Sequence, residues 1–312
     1  VTENTAHRLS GVLYCVFGLF TFALQDTIVK DLSDTFPVLE LLALRTYVVL
    51  VGLAMLIIVM RIPQGFGAKR PGILMLRGVI ALVAFTCYYL ALSKMALADG
   101  AAIYMTGPLF VTALSVPLLG ERVGWHRWAA VAVGFAAAVY MVNPGSDVFQ
   151  IVALLPLVAA VAYAFIPIIN RKIGLSEHAL TIALYAMIAY AGLATVAGVL
   201  IHLFDAQPMS DNIFANLTQH WLIPDPWEFT LISLSGILFI IGLLALTQAY
   251  RTLPVSIVAP FEYSYIVWAT LLGYLVFSEV PSTRTWFGGA VIIACGCYVT
   301  WREKQARRAA EA

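Results

Sequence analysis

Mostly apolar stretches, each near the 20 residues or so that carry a helix across a bilayer, recur ten times along the chain. They run over 10–30, 38–60, 73–93, 98–119, 125–143, 149–170, 178–203, 229–250, 255–277 and 284–301. Short connections with Gly or Pro separate most of them, such as Pro63-Gln64-Gly65 and Pro144-Gly145. The exception is 204–228, a long acidic and aromatic loop with Pro208, Pro224 and Pro226, with room for a short surface helix. The first stretch is long enough to span and no small-residue cleavage site follows it, so it reads as a membrane helix rather than a cleaved leader.

Composition agrees. Apolar types make up 62% of the 312 residues and charged types 11%, against about 25% charged in an ordinary soluble domain. Lipid is the natural solvent for so apolar a chain. The four cysteines, Cys15, Cys87, Cys295 and Cys297, all fall in apolar stretches. A Cys-x-Cys pair on a helix points its thiols roughly 200° apart, so they read as small packing residues.

Net charge is +1 and says nothing of nucleic acid; its distribution is informative. With the N-terminus inside, thirteen basic residues fall inside: Arg8, Arg61, Lys69, Arg70, Arg122, Arg127, Arg171, Lys172, Arg251, Arg302, Lys304, Arg307 and Arg308. Three, Lys30, Lys94 and Arg284, fall outside, and Arg45 and Arg77 lie within spans. Missing or adding one span mid-chain would exchange the sides of all later loops. The asymmetry therefore predicts ten spans with both termini inside, in a bacterial-type inner membrane.

Shifting the sequence by 158 residues lays 76–140 on 234–298 without a gap. Glu121 meets Glu279, Trp128 meets Trp286, Tyr140 meets Tyr298, Gly78 meets Gly236 and Thr112 meets Thr270. Matches of Ala and Leu carry little weight between apolar segments, but an acid, two aromatics and the span boundaries fall in one register. The halves are predicted at 1–148 and 149–312. Each holds five spans, an odd number, so they face opposite ways, the arrangement of carriers that bind solute near the midplane between inverted repeats.

The fourth and ninth spans carry a resemblance. Pro108-Leu-Phe-Val-Thr-Ala-Leu-Ser-Val-Pro-Leu-Leu-Gly-Glu-Arg, and Pro260-Phe-Glu-Tyr through Phe277-Ser-Glu-Val-Pro, are similar to the paired signatures of the drug/metabolite transporter superfamily, EamA type. The resemblance covers essentially the whole chain. It implies an all-α integral membrane protein, ten helices around a central cavity, and solutes such as amino acids, nucleosides, vitamins or cationic drugs. The aromatic and neutral amino-acid exporters resemble it most, which implies export of amino acids by alternating access. Import or export of another metabolite or a quaternary amine is the alternative. The halves differ at the signature: Ser278 stands where Gly120 does, and Ile266 where Pro108 does.

Ionisable residues within spans are costly and point to function. Glu262 lies about seven residues into the ninth span, roughly 10 Å deep, and its repeat partner is Tyr104. Glu262 can hold a proton or a substrate ammonium, or lock its helix to a neighbour; both readings stand. Asp26 and Arg45 lie roughly 7 and 10 Å from the outer face and are read as a structural ion pair. Arg77 is expected to snorkel, Glu40 and Asp99 to be solvated, and Glu121 and Glu279 to favour the start of the following helix. Pro108, Pro117, Pro156, Pro167 and Pro260 lie within spans and free carbonyls there. Tyr88, Tyr89, Tyr104, Tyr163, Gln248, Tyr263, Tyr265 and Trp268, with Glu262, make an aromatic wall suited to an amphipathic solute. Small residues stripe the fifth and tenth spans (Ala130, Gly134, Ala138; Gly289, Ala290, Ala294, Gly296), for packing within a monomer or, alternatively, a dimer contact.

An intramembrane hydrolase needs a metal set, a Ser–His pair or an aspartyl pair at depth. No His-Glu-x-x-His and no Gly-x-x-x-x-Gly-Lys occurs, the histidines sit at span ends or in loops, and Asp26 and Asp99 lack an accompanying motif. No catalytic residue, metal or cofactor is assigned. The expected partners are a small-molecule substrate and the lipid bilayer.

Overall fold

The structure is a computed structural model that describes residues 2–62, 65–120, 124–142, 151–173, 177–204, 213–253 and 255–311. Among them every regular element is helical. The twelve α-helices are α1 (Thr2–Leu32), α2 (Val38–Val59), α3 (Pro71–Leu92), α4 (Leu97–Tyr104), α5 (Gly107–Leu119), α6 (Trp125–Val142), α7 (Leu155–Ile173), α8 (Ala179–Leu203), α9 (Pro226–Thr252), α10 (Val255–Glu262), α11 (Ser264–Phe277) and α12 (Thr283–Glu311). Short 3-10 turns occupy Ile151–Leu154 and Ile213–Thr218.

Among the described residues seven helical segments are long and apolar enough to cross a membrane: Leu9–Leu32, α2, α3, α4 with α5, Val152–Ile173, α8 and α9. The other three expected spans correspond to α6, to α10 with α11, and to α12. Among the described residues the apolar run of α6 is shorter, Trp128–Val142. The ninth stretch is broken at Tyr263, and α12 continues into the basic tail.

Helix ends follow local chemistry. Pro71 and Pro226 open α3 and α9, where a missing N–H costs nothing. Asp225 accepts from the Trp227 and Glu228 amides while Glu228 returns a bond to the Asp225 N–H, a capping box. Pro108 ends α4, since its ring cannot donate to the Tyr104 carbonyl one turn back. Gly120 and Ser278 close α5 and α11 in the left-handed region, at φ of 69° and 55°.

Adding 158 to the bounds of α4 gives the bounds of α10, and the break before α5 falls on the break before α11. Packing repeats the pattern. α1 lies along α9 as α7 lies along α3; α2 packs on α9 as α8 packs on α3; α1 meets α10 and α11 as α7 meets α4 and α5. α2 with α8, and α6 with α12, pair across the relation. At Gly78 a Cβ would run into the Ala186 carbonyl, so the α3–α8 crossing depends on that glycine. A Cβ at Gly134 of α6 would run into Leu109 and come within 3.7 Å of Cys295 of α12, so that part of the stripe packs inside the monomer, whereas Ala290 and Ala294 of α12 are exposed. Outward faces are apolar, as on α9, where Leu234, Ile237, Ile241 and Leu244 form an exposed stripe.

Candidate functional site

Two polar layers occupy the bundle interior, on either side of the breaks in the fourth and ninth segments. The first centres on Asp26 of α1. Its carboxylate accepts from the Tyr89 hydroxyl at 2.5 Å, from Gln25 Nε2 at 2.9 Å and from the Tyr265 hydroxyl. Because Tyr265 donates to Asp26, the 2.6 Å contact between the Tyr88 and Tyr265 hydroxyls takes its proton from Tyr88. Arg45 Nη1 donates to the Tyr89 hydroxyl at 2.9 Å and to Gln25 Oε1 at 3.2 Å. The guanidinium also lies over the rings of Tyr89 and Phe239, at 5.3 and 5.6 Å from their centroids. All six residues are buried. The direct Asp26–Arg45 ion pair expected from depth is therefore corrected: the Tyr89 hydroxyl and the Gln25 amide stand between the two charges. Four helices contribute, and the charges balance within one hydrogen-bonded network.

One turn further along the same face of α1, Lys30 Nζ donates to Glu279 Oε1 and to the Met95 carbonyl, each at 2.6 Å. Glu279 Oε2 accepts from the Leu97 amide at 2.9 Å. Glu279 thus caps α4 and ties it to α1, rather than serving the start of α12. Asp99 supports α12 instead, accepting from the Thr285 hydroxyl at 2.5 Å and the Ser282 amide at 3.4 Å. Glu40, expected to be solvated, is 1% exposed and accepts from the Leu222 amide at 3.1 and 3.0 Å, pinning the long loop to α2. The end of the bundle around Lys30 is thereby fastened by ionic and capping contacts. Glu121, the repeat partner of Glu279, lies outside the described residues.

The second layer lies toward the Arg251 end. The Tyr104 ring, at the end of α4, is 4.7 Å from Tyr88 and 5.5 Å from Tyr163 of α7, so it links the two layers. Glu262, at the end of α10, is half-buried and accepts from the Tyr250 hydroxyl at 2.7 Å. Tyr163 and Tyr250 are each 37% exposed, and Tyr163 lies within electrostatic reach of both Glu262 and Arg77.

Of the residues expected to line the site, Tyr88, Tyr89 and Tyr265 thus belong to the Asp26 layer, and Tyr104, Tyr163 and Glu262 to the second. Three stand apart. Tyr263 is buried against Ile292 and Ala137, its hydroxyl without a partner, wedged toward α6 and α12. Trp268 packs edge-on against Phe20 at 5.1 Å. Gln248 shares the exposed stripe of α9 with Ile241 and Leu244, about 200° from Tyr250. Gln25 and Tyr250 were not singled out from sequence. Gln25 had a signal, as an amide beside an acid within a span; Tyr250, near the end of α9, had none.

No group of three or more His, Cys, Asp or Glu side chains among the described residues could hold a metal. An apolar groove of about 580 Å³ opens between α3, α5, α6 and α7, with Val83, Phe110, Phe135 and Phe165 on its walls. Its walls include the outward-facing Val79, Val83, Phe135 and Val158, and none of the residues of either polar layer.

Comparison with known proteins agrees with this architecture. The sequence profile described as "EamA-like transporter family" matches residues 9–143 and again 150–302. The chain is 28% identical over 312 residues to a riboflavin transporter of Vibrio cholerae, covering 97% of each. It is 29% identical over 300 residues to the pseudopaline exporter CntI of Pseudomonas aeruginosa, covering 95% of this chain and 97% of that one. It is 24% identical over 297 residues to an S-adenosylmethionine uptake transporter of Rickettsia prowazekii, covering 95% and 94%. A solved crystal structure superposes with a TM-score of 0.59 over 96% of this chain and 98% of its own, at 17% identity, and so shows the fold alone. Two matches that together span nearly the whole chain, on a helical bundle whose packing repeats with its sequence, place this protein in the EamA-like transporter family of multi-pass membrane transporters.

Proposed function

We propose that this chain is a secondary carrier that moves a small organic metabolite by alternating access, binding it against Tyr104, Tyr163, Tyr250 and Glu262. Ten spans in two inverted halves, 1–148 and 149–312, form the carrier, with both termini cytoplasmic in a bacterial-type inner membrane. In that frame the Lys30 end is the outer face. The observation that carries the reading is the contrast between the layers: contacts at the Lys30 end fasten α1, α4 and α11 together, whereas Glu262 and its tyrosines remain partly exposed toward the other end. This corresponds to a carrier closed outside and approachable from the cytoplasm.

Aromatic walls with a carboxylate suit an amphipathic solute bearing an amine, and amino acids, aromatic ones included, moved outward are the first substrates to test. Relatives named for riboflavin, S-adenosylmethionine and pseudopaline widen the set to other metabolites and to both directions. Flux into and out of sealed vesicles, screened over amino acids, riboflavin, S-adenosylmethionine, nucleosides and cationic dyes with and without a pH gradient, tests the reading. Movement of unaltered solute by the protein, absent from empty vesicles, is the expected result. Chemical conversion, or no movement of any solute, would overturn it.

A further inference from the structure

One pair of chemically capable side chains takes no part in either polar layer. His202 stands in the last turn of α8, and His220 in the long loop before α9. Their Nδ1 atoms lie 3.0 Å apart, with the rings nearly perpendicular at 84°. Both side chains are exposed.

The loop is fastened on each side of His220. Before it, the Asn216 side chain accepts from the Val38 amide at 2.7 Å, and Leu217 packs against the buried core. After it, the Trp221 indole fills the space over Gly198 of α8. Gly198 lies one turn before His202 on the same helix face. The Leu222 amide then donates to both carboxylate oxygens of Glu40, at 3.1 and 3.0 Å. Glu40 belongs to α2, which packs along α8. The neighbours of His220 thus hold it over the end of α8, and the two rings meet without having to order the loop themselves.

A hydrogen bond between these rings needs one Nδ1 to carry the proton and the other to offer its lone pair. In water such a neutral contact contributes little. A metal ion can take the place of that proton. Imidazole nitrogens bind zinc at about 2.0–2.1 Å, which sets two of them about 3.3 Å apart in a tetrahedral site. Adjacent nitrogens of a square-planar site are about 2.9 Å apart. The observed 3.0 Å falls between the two, so modest ring rotations bring both lone pairs onto one ion. Imidazole suits zinc, nickel and copper, whereas hard cations prefer oxygen. No third His, Cys, Asp or Glu joins the pair among the described residues, so water fills the other positions.

We propose that His202 and His220 form a surface site for a divalent transition-metal ion, which staples the loop before α9 to the end of α8. The site is separate from both polar layers and independent of the solute the carrier moves.

The test uses the full chain purified in detergent, with any polyhistidine tag removed. Zinc, nickel and magnesium ions are titrated calorimetrically into wild type, His202→Ala, His220→Ala and the double variant. Hydrogen exchange of the amides around Leu222 is followed with zinc and with EDTA. Thermal midpoints in EDTA report whether each variant is folded. The expected result is one zinc or nickel ion per chain and no binding of magnesium. Each single variant should weaken zinc binding by about a hundredfold, the loss of a two-point attachment. Zinc should slow exchange at 219–223 in wild type and leave it unchanged in the variants. Zinc binding at wild-type strength in the double variant, or none to the folded wild type, would overturn the site. Binding that is lost in the variants but leaves exchange at 219–223 unaltered in wild type would overturn the stapling. Should an alanine variant fail to fold, wild-type exchange with and without zinc still decides: unchanged exchange at 219–223 would overturn the proposal.

Discussion

Glu262 is where chemistry and architecture meet. Its depth and its pairing with Tyr104 are legible in the sequence, because both follow from span boundaries and the repeat. The Tyr250 hydroxyl on its carboxylate is not, because that contact depends on how α9 turns back into α10. The same limit applies to Asp26 and Arg45. Counting turns places them at similar depth, but side-chain reach decides that Tyr89 and Gln25 intervene. If Glu262 carries a proton or holds a substrate amine, Glu262→Gln abolishes flux or its pH dependence while the protein still folds. If it only fastens helices, Gln transports nearly as wild type, and Glu262→Ala lowers the thermal midpoint instead. Protection of a Tyr104→Cys thiol by the transported solute is the independent check. Normal flux in the Gln variant without protection at position 104 would place the site elsewhere.

At the scale of helices, the paired breaks are the main device. Pro108 explains why α4 stops at Tyr104, and it could be read from sequence. Its repeat position holds Ile266, so the break at Tyr263 had no such signal; there the Ile266 amide turns back to the Tyr263 carbonyl at 3.1 Å. The ends of α5 and α11 differ in a way that can be measured. Both close left-handed, but Ser278 does so with a Cβ where Gly120 has none. A non-glycine residue in that region is disfavoured by about 1–2 kcal/mol. Ser278→Gly should therefore stabilise the folded protein by about 1 kcal/mol and raise its thermal midpoint in detergent; an unchanged or lowered midpoint would show the strain is relieved some other way. The Lys30–Glu279 contact makes a second expectation. It joins α1 to α11 and caps α4, so removing it favours the state open at that end. Lys30→Met or Glu279→Gln should raise outside labelling of a Tyr104→Cys reporter by about tenfold. The Lys30→Glu/Glu279→Lys exchange should restore protection in part. Equal labelling in all variants would mean the contact does not govern access.

For the whole molecule, the repeat was legible where the sequence held unlike residues in register, and it resolved into a shared break and a shared packing scheme. Sequence and structure bear on span number in different ways. Among the described residues seven segments pass on length and apolarity alone, whereas the thirteen-to-three basic count responds to the parity of every span. Parity is also what inversion requires: an odd number of spans per half turns one half over. The long loop before α9 provides the decisive position. Asn216 accepts from the Val38 amide at 2.7 Å and so ties the loop to the start of α2, which makes it a poor position for a reporter cysteine. Gln219 is exposed, so a cysteine there is accessible without cutting the Val38 contact. With native cysteines removed, Gln219→Cys should react with an impermeant maleimide applied outside intact cells. Ser10→Cys, near the start of the first apolar stretch, should react only after permeabilisation. Both labelling from the same side would mean an even number of crossings lies between them, which an N-in chain with seven spans before this loop forbids. That outcome would reject the inverted halves together with the topology.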